Sequence, residues 1–266
     1  MVELAMVTLP NGVAMEHAIA GDGPRTAVFI HGYGDSWYSH NGMLQALPSG
    51  WRAYAPSLRG HGDSSKPREG YTVREHADDV IAFMAAKSIG KAVIIGHSMG
   101  SFIGQEIAIR RPELVSHLVL IASATTADND VVMGLKAAVA GLADPMPRQF
   151  SHDFQSGTCV NPMGPGMMLD RVVDESAKIP AHVWKREADA LVGYRPAGHD
   201  GTDLARIRAP TLVIWGVQDG LLFRDEQDRL IKSIPGARLA VHETSGHAVN
   251  WEFPEWTMAE VARFVG

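Results

Sequence analysis

Hydrophobic and polar positions fall into three regimes along the chain. From Met1 to Leu9 and from Val13 to Ala20 they alternate with a period of two, which predicts two half-buried strands. Pro10, Asn11 and Gly12 separate the two runs. Asn-Gly at such a place predicts an antiparallel hairpin whose two turn residues take positive φ.

From Ala27 onward, short runs of consecutive apolar residues alternate with segments of helical period. Strands are predicted at Ala27–His31, Trp51–Ala55, Ala92–Gly96 and Leu118–Ala122, and helices at Trp37–Leu47, Val73–Ser88 and Phe102–Arg110. In Val73–Ser88 the residues Val73, Ala77, Val80, Ile81 and Met84 form one apolar stripe. Strand, loop and helix in repeated order predict parallel βαβ units and a sheet covered on both faces.

The third regime, 125–207, is helix-like but irregular. Asp144-Pro-Met-Pro147 and Asn161-Pro-Met-Gly-Pro-Gly166 break it. The strand–helix rhythm then returns with strand Thr211–Gly216, helix Phe223–Ile234, strand Ala237–His242 and helix Trp251–Phe264. A stretch so often broken buries little core by itself. It is therefore expected to be a helical cap, 125–207, inserted into one core made of 1–124 and 208–266.

Composition narrows the function classes. Apolar residues are 45% and charged residues 20% of the 266, which is ordinary for a folded globular chain. Lys and Arg number 24 against 30 Asp and Glu, a net charge of −6 without a basic stripe, so nucleic acid is not the expected partner. The single cysteine, Cys159, excludes an internal disulfide and a cysteine-based zinc cluster. No apolar run approaches the roughly 20 residues of a membrane span, and Glu3 stands where a signal peptide would carry a basic residue. A cytoplasmic protein acting on a small molecule is expected, with no membrane partner and an oligomeric state that the sequence leaves open. No histidines have metal-ligand spacing, and neither metal nor cofactor is expected.

The candidate chemistry begins at Gly96-His97-Ser98-Met99-Gly100, between a strand and a helix. A sharp turn there strains the central residue, needs small residues on both sides and exposes the serine hydroxyl above the sheet. The helix N-terminus beneath adds backbone N–H groups and the positive end of a dipole. A serine at its free pKa is a poor nucleophile and needs a base. His247, in the loop after the last predicted strand, suits that role, and Asp219, after the penultimate strand, would orient it. Asp128 is a rival acid past Leu118–Ala122. His97 flanks the serine and is read as pointing away, in a packing or hydrogen-bonding role. His61 is read as holding its own loop.

These motifs, in this order, resemble the α/β-hydrolase family over nearly the whole chain outside the cap. His31-Gly32 resembles the motif near the family's oxyanion hole, Arg59-Gly60-His61-Gly62-Asp63-Ser64 its Gly-His-Gly-x-Ser loop, and Gly216-Val-Gln-Asp219 and Gly246-His247 the loops of its acid and base. The resemblance implies an α/β fold with a mostly parallel eight-stranded sheet, helices on both faces and a cap. It implies a Ser98–His247–Asp219 triad and an oxyanion hole made by the backbone N–H groups of Met99 and Tyr33. Relatives that open epoxides or remove halide use aspartate at the elbow, so Ser98 points to acyl chemistry on an ester or lactone. Hydrolysis of a C–C bond in a diketone ring-cleavage product, cofactor-free perhydrolysis and a non-catalytic ligand receptor are the alternatives. Trp37, Phe150, Met167 and Trp184 are the expected substrate contacts. The cap methionines Met133, Met146, Met163, Met167 and Met168 hint at an apolar acyl group.

Overall fold

The computed structural model describes residues 2–127, 129–196 and 202–266. Strands β1 (Val2–Thr8) and β2 (Ala14–Ala20) form the predicted hairpin, paired from Val2 with Ala20 to Thr8 with Ala14. Its turn differs from the expectation: only Gly12 has positive φ, at 84°. Gly12 N–H donates to Leu9 O and Leu9 N–H to Val13 O. This is a type I turn closed by a left-handed glycine. Pro10 is the reason, because its ring fixes φ at a negative value in the first central position.

The parallel units follow: β3 (Arg25–Ile30), a 3₁₀ turn (Trp37–His40), α1 (Asn41–Gln45), β4 (Trp51–Pro56), α2 (Val73–Ala86), β5 (Ala92–His97), α3 (Met99–Arg110) and β6 (Val115–Ile121). The helix expected over Trp37–Leu47 is thus split at His40, whose φ of −107° and ψ of 4° interrupt it. Thr72 and Glu75 close a reciprocal cap at the start of α2. Four helices come next, α4 (Asp130–Val139), α5 (Arg148–Ser156), α6 (Leu169–Ala177) and α7 (Ala181–Val192), and then a 3₁₀ turn (Thr202–Arg206). The core resumes with β7 (Thr211–Gly216), α8 (Arg224–Ser233), β8 (Arg238–His242), α9 (Val249–Glu252) and α10 (Pro254–Val265). The last predicted helix is broken at Phe253, φ −133°, because a residue before proline is driven away from helical backbone.

The eight strands form one sheet in the order β1-β2-β4-β3-β5-β6-β7-β8. Pairing is antiparallel for β1–β2 and β2–β4 and parallel elsewhere. Consecutive strand residues feed opposite cores, as a period of two requires. Val28, Ile30, Ile94 and Leu120 pack on one side with α2 and α3, while Ala27, Phe29, Ile95 and Ile121 pack on the other with α9 and α10. Among the described residues no helix is long and apolar enough to cross a membrane.

The two ends of the segment that carries α4 to α7 are joined by a hydrogen bond. Thr126 Oγ1 donates to the carbonyl of Tyr194 at 2.9 Å. Leu204 and Ile207, further along, are buried in the main core.

Candidate active site

Ser98 caps α3 with φ 50° and ψ −120°, a strained backbone for a residue with a side chain. The flanking glycines explain how the turn is tolerated: a Cβ at Gly96 would strike the carbonyl of Gly100, and one at Gly100 the carbonyl of Ile30. A buried network holds the turn from below. Ser101 Oγ donates to Ser98 O at 2.6 Å and lies 2.7 Å from Ser123 Oγ, while Gln105 Nε2 and Gln227 Nε2 donate to Ser123 and its neighbour.

The loop after β8 brings His247 over the sheet. Its Nδ1 lies 3.0 Å from Asp219 Oδ2 and 3.1 Å from Oδ1, which leaves Nε2 as the free nitrogen. Burial alone would push the Asp219 carboxyl up. The His247 imidazole and the backbone N–H groups of Leu221 and Leu222 outweigh it and hold the carboxyl below its usual value. Glu252 braces the same loop: it accepts from Gly246 N–H and, from the segment between α5 and α6, from Val160 N–H and Asn161 Nδ2.

Ser98 and His247 line one cavity of about 320 Å³, with Tyr33 and Met99 also in its wall. Ser98 Oγ makes no hydrogen bond among the described residues, and neither do the backbone N–H groups of Met99 and Tyr33. A serine hydroxyl, an imidazole and two unpaired donors therefore share one wall. The rival acid Asp128 lies outside the described residues.

The other expected contacts are placed differently. Trp37 packs edge-on to Tyr38 in the core on the far side of the sheet, and Met167 is buried there with Sδ 3.3 Å from Gly42 N. Phe150 and Trp184 stand behind the wall: Trp184 is fully buried, edge-on to Tyr33 at 4.9 Å and to Phe154 at 5.1 Å. None of these four lines the cavity, whereas Phe154 does. Tyr33 OH donates to Trp184 O at 2.6 Å, which ties the loop after β3 to the helical insertion. None of the five cap methionines lines the cavity, and Met133 and Met168 are exposed. The apolar wall comes from Val131, Val132 and Leu135 on α4, Leu191 on α7, and Leu221 and Leu222 after β7.

His97 does reach the cavity wall. Its Nε2 lies 3.3 Å from the carbonyl of His247, and its Nδ1 3.9 Å from Asp35 Oδ2. His61 does more than hold its loop. Its Nδ1 donates to Arg59 O, and its Nε2 approaches Glu187 Oε2 of α7 at 3.3 Å, while His76 Nε2 lies 2.9 Å from Oε1 of the same carboxyl. The 3.3 Å approach lacks hydrogen-bond alignment and is an ion pair when the imidazole is protonated. Cys159 is not a candidate nucleophile, because burial pushes its thiol up to about 12. Asp35 and Gln155 line the cavity and were not singled out by the sequence, although Asp35 is a charged residue three positions after Gly32 in a run otherwise suited to burial.

A family model described as alpha/beta hydrolase fold matches residues 27–254. An uncharacterised protein of Mycobacterium tuberculosis is 29% identical over 272 residues, spanning 96% of this chain and 79% of that protein. A soluble epoxide hydrolase of a Corynebacterium species is 31% identical over 147 residues, 55% of this chain and 48% of that protein. The solved esterase of Exiguobacterium antarcticum superposes with a TM-score of 0.84 at 21% identity, covering 98% of each chain, a likeness of fold alone.

Proposed function

We propose that this chain, which belongs to the alpha/beta hydrolase family, cleaves a small or medium, largely apolar carboxylic ester or lactone through an acyl-enzyme on Ser98. The observation that carries the reading is the shared cavity: Ser98 and the free edge of an Asp219-bonded His247 open onto the same apolar space. His247 Nε2 takes the proton as Ser98 Oγ bonds to the substrate carbonyl carbon. The oxyanion accepts from the N–H groups of Met99 and Tyr33. The C–O bond to the leaving group breaks, and the imidazolium returns its proton to the departing oxygen. Water, deprotonated by the same imidazole, then releases the acid and restores Ser98. Epoxide opening is disfavoured despite the partial likeness to an epoxide hydrolase, since the elbow carries serine rather than a carboxylate.

Hydrolysis of short p-nitrophenyl esters tests the reading. Turnover that disappears in Ser98→Ala is expected, together with stoichiometric labelling of Ser98 by a serine-directed phosphonate. Tight binding of an ester without turnover would favour a receptor. Bleaching of a coloured dienol diketone, with no ester cleavage, would favour C–C hydrolysis.

A further inference from the structure

Glu252 is a buried carboxylate, 3% exposed, that the Ser98 chemistry does not use. It ends α9, where the chain folds back on the loop behind β8. All the hydrogen bonds to its two oxygens come from amide N–H groups. Gly246 N–H lies between them, 3.2 Å from Oε1 and 3.3 Å from Oε2. Val160 N–H donates to Oε1 at 3.0 Å, and Asn161 Nδ2 to Oε2 at 2.6 Å. The Asn161 amide also donates to Thr244 O at 2.6 Å, and Thr158 O accepts from Ala248 N–H at 3.1 Å. The segment 158–161, between α5 and α6, therefore grips the loop on both sides of His247: through Thr244 and Gly246 before it and Ala248 after it. The approach is close, since a Cβ at Gly246 would lie 3.0 Å from Glu252 Oε1 and 3.2 Å from Thr158 O.

The donor pattern explains why an acid stands here. Three N–H donors converge on two oxygens, and an ionised carboxylate offers acceptors alone. A glutamine would set its own NH₂ against Asn161 Nδ2 or against the two backbone N–H groups. Turning the Asn161 amide over would not relieve the clash, because its oxygen would then face Thr244 O. We propose that Glu252 and Asn161 are positioning residues for His247: they lock the loop that carries the imidazole to the segment 158–161 and so hold the ring in one orientation between Asp219 and the cavity. This assignment rests on the Ser98 hydrolase reading, in which His247 is the base. A small displacement of a base slows proton transfer while the apolar walls that bind the substrate stay in place. The loss is therefore expected in kcat and not in KM.

The test uses Glu252→Gln and Asn161→Leu in the full chain, with Thr257→Val as the control. Thr257 Oγ1 donates to Val249 O and Phe253 O at the junction of α9 and α10; it is buried like Glu252 but makes no bond to the His247 loop. On p-nitrophenyl acetate, kcat falls by about 10²-fold in Glu252→Gln and about tenfold in Asn161→Leu, with KM changed by less than about threefold. Thr257→Val lowers the urea midpoint and leaves kcat in place. A second readout needs no turnover. The downfield proton resonance of the His247 Nδ1–H bonded to Asp219, identified by its loss in Asp219→Asn, shifts or broadens in both variants and not in the control. Unchanged kcat or an unmoved resonance in both variants, or an equal loss of kcat in Thr257→Val, would overturn the assignment while leaving the hydrolase reading intact. If Glu252→Gln does not fold, Asn161→Leu, at a half-buried site, decides alone. If no ester is cleaved in a Ser98-dependent manner, the hydrolase reading fails, and the resonance still decides whether the two residues hold His247.

Discussion

Asp219 Oδ2 lies 3.0 Å from Nδ1 of His247, with both side chains buried. A carboxylate there accepts from Nδ1–H, the tautomer in which Nε2 carries no proton, and His247 lines the cavity. Asp219→Asn keeps an oxygen for the N–H groups of Leu221 and Leu222 but presents a donor to Nδ1. A fall in kcat of roughly 10³–10⁴-fold with little change in KM is expected on p-nitrophenyl acetate. A fall of less than tenfold would assign the acid to another residue.

Acid should act on the stability that this pair confers. The Asp219 carboxyl is held below its usual 3.8, so its contribution is present above that value and is lost as pH falls through the lowered one. Urea midpoints measured from pH 6 to 2.5 should therefore fall less steeply below pH 4 in Asp219→Asn than in the wild type.

Glu187 on α7 is clamped by His61 and His76 of the core, all three buried. Burial alone would lower His61, but the Glu187 charge and the Arg59 carbonyl raise it above 6.5. Burial alone would raise Glu187, but the two imidazoles hold it below 4.5. The His61 contribution is full below pH 6.5 and is lost as pH rises through the raised value. That of Glu187 is full above pH 4.5 and is lost as pH falls through the lowered one. The clamp is therefore strongest between those limits. Glu187→Gln should cost about 3 kcal/mol at pH 6 in urea unfolding and lose part of the wild-type decline in stability above neutrality. Equal slopes in the two proteins would show that the clamp carries no net charge attraction.

Gly100 allows α3 to approach β3 at the carbonyl of Ile30. Gly100→Ala sets a Cβ against rigid backbone, and a loss of about 3 kcal/mol or more, with loss of activity, is expected from chemical unfolding and ester assays. Gly90→Ala, where a Cβ meets open space, is the control and should change little.

Much of this arrangement was legible in the chain. The strands were readable because each is a short apolar run ending in a loop, and the boundaries of Thr211–Gly216 coincide with those of β7. Ser98 was readable because its glycine neighbours are required by local backbone sterics, which the sequence displays directly. The cavity wall was not readable. Trp37 and Trp184 are large and apolar, and such residues fill cores as readily as they line pockets. Trp37 goes to the core on the far side of the sheet, whereas Trp184 is placed by how α7 docks; α5, α6 and α7 each have one apolar face, but the Pro- and Gly-rich links between them do not tell from sequence which surface that face meets. The Asn11-Gly12 turn was misjudged in type because the motif was weighed without the preceding Pro10, whose ring excludes positive φ.

The hydrogen bond from Thr126 to Tyr194 ties the start of the helical segment α4–α7 to the residue that follows its last turn. A segment anchored in that way is a cassette. Its length and contents can drift, or be exchanged wholesale, without shifting any rung of the parallel ladder beneath, because closing a longer loop adds little entropic cost. The turn at Ser98 can thus stay in place while the segment between β6 and β7 varies, which makes the span between those two residues the natural place to graft a foreign segment.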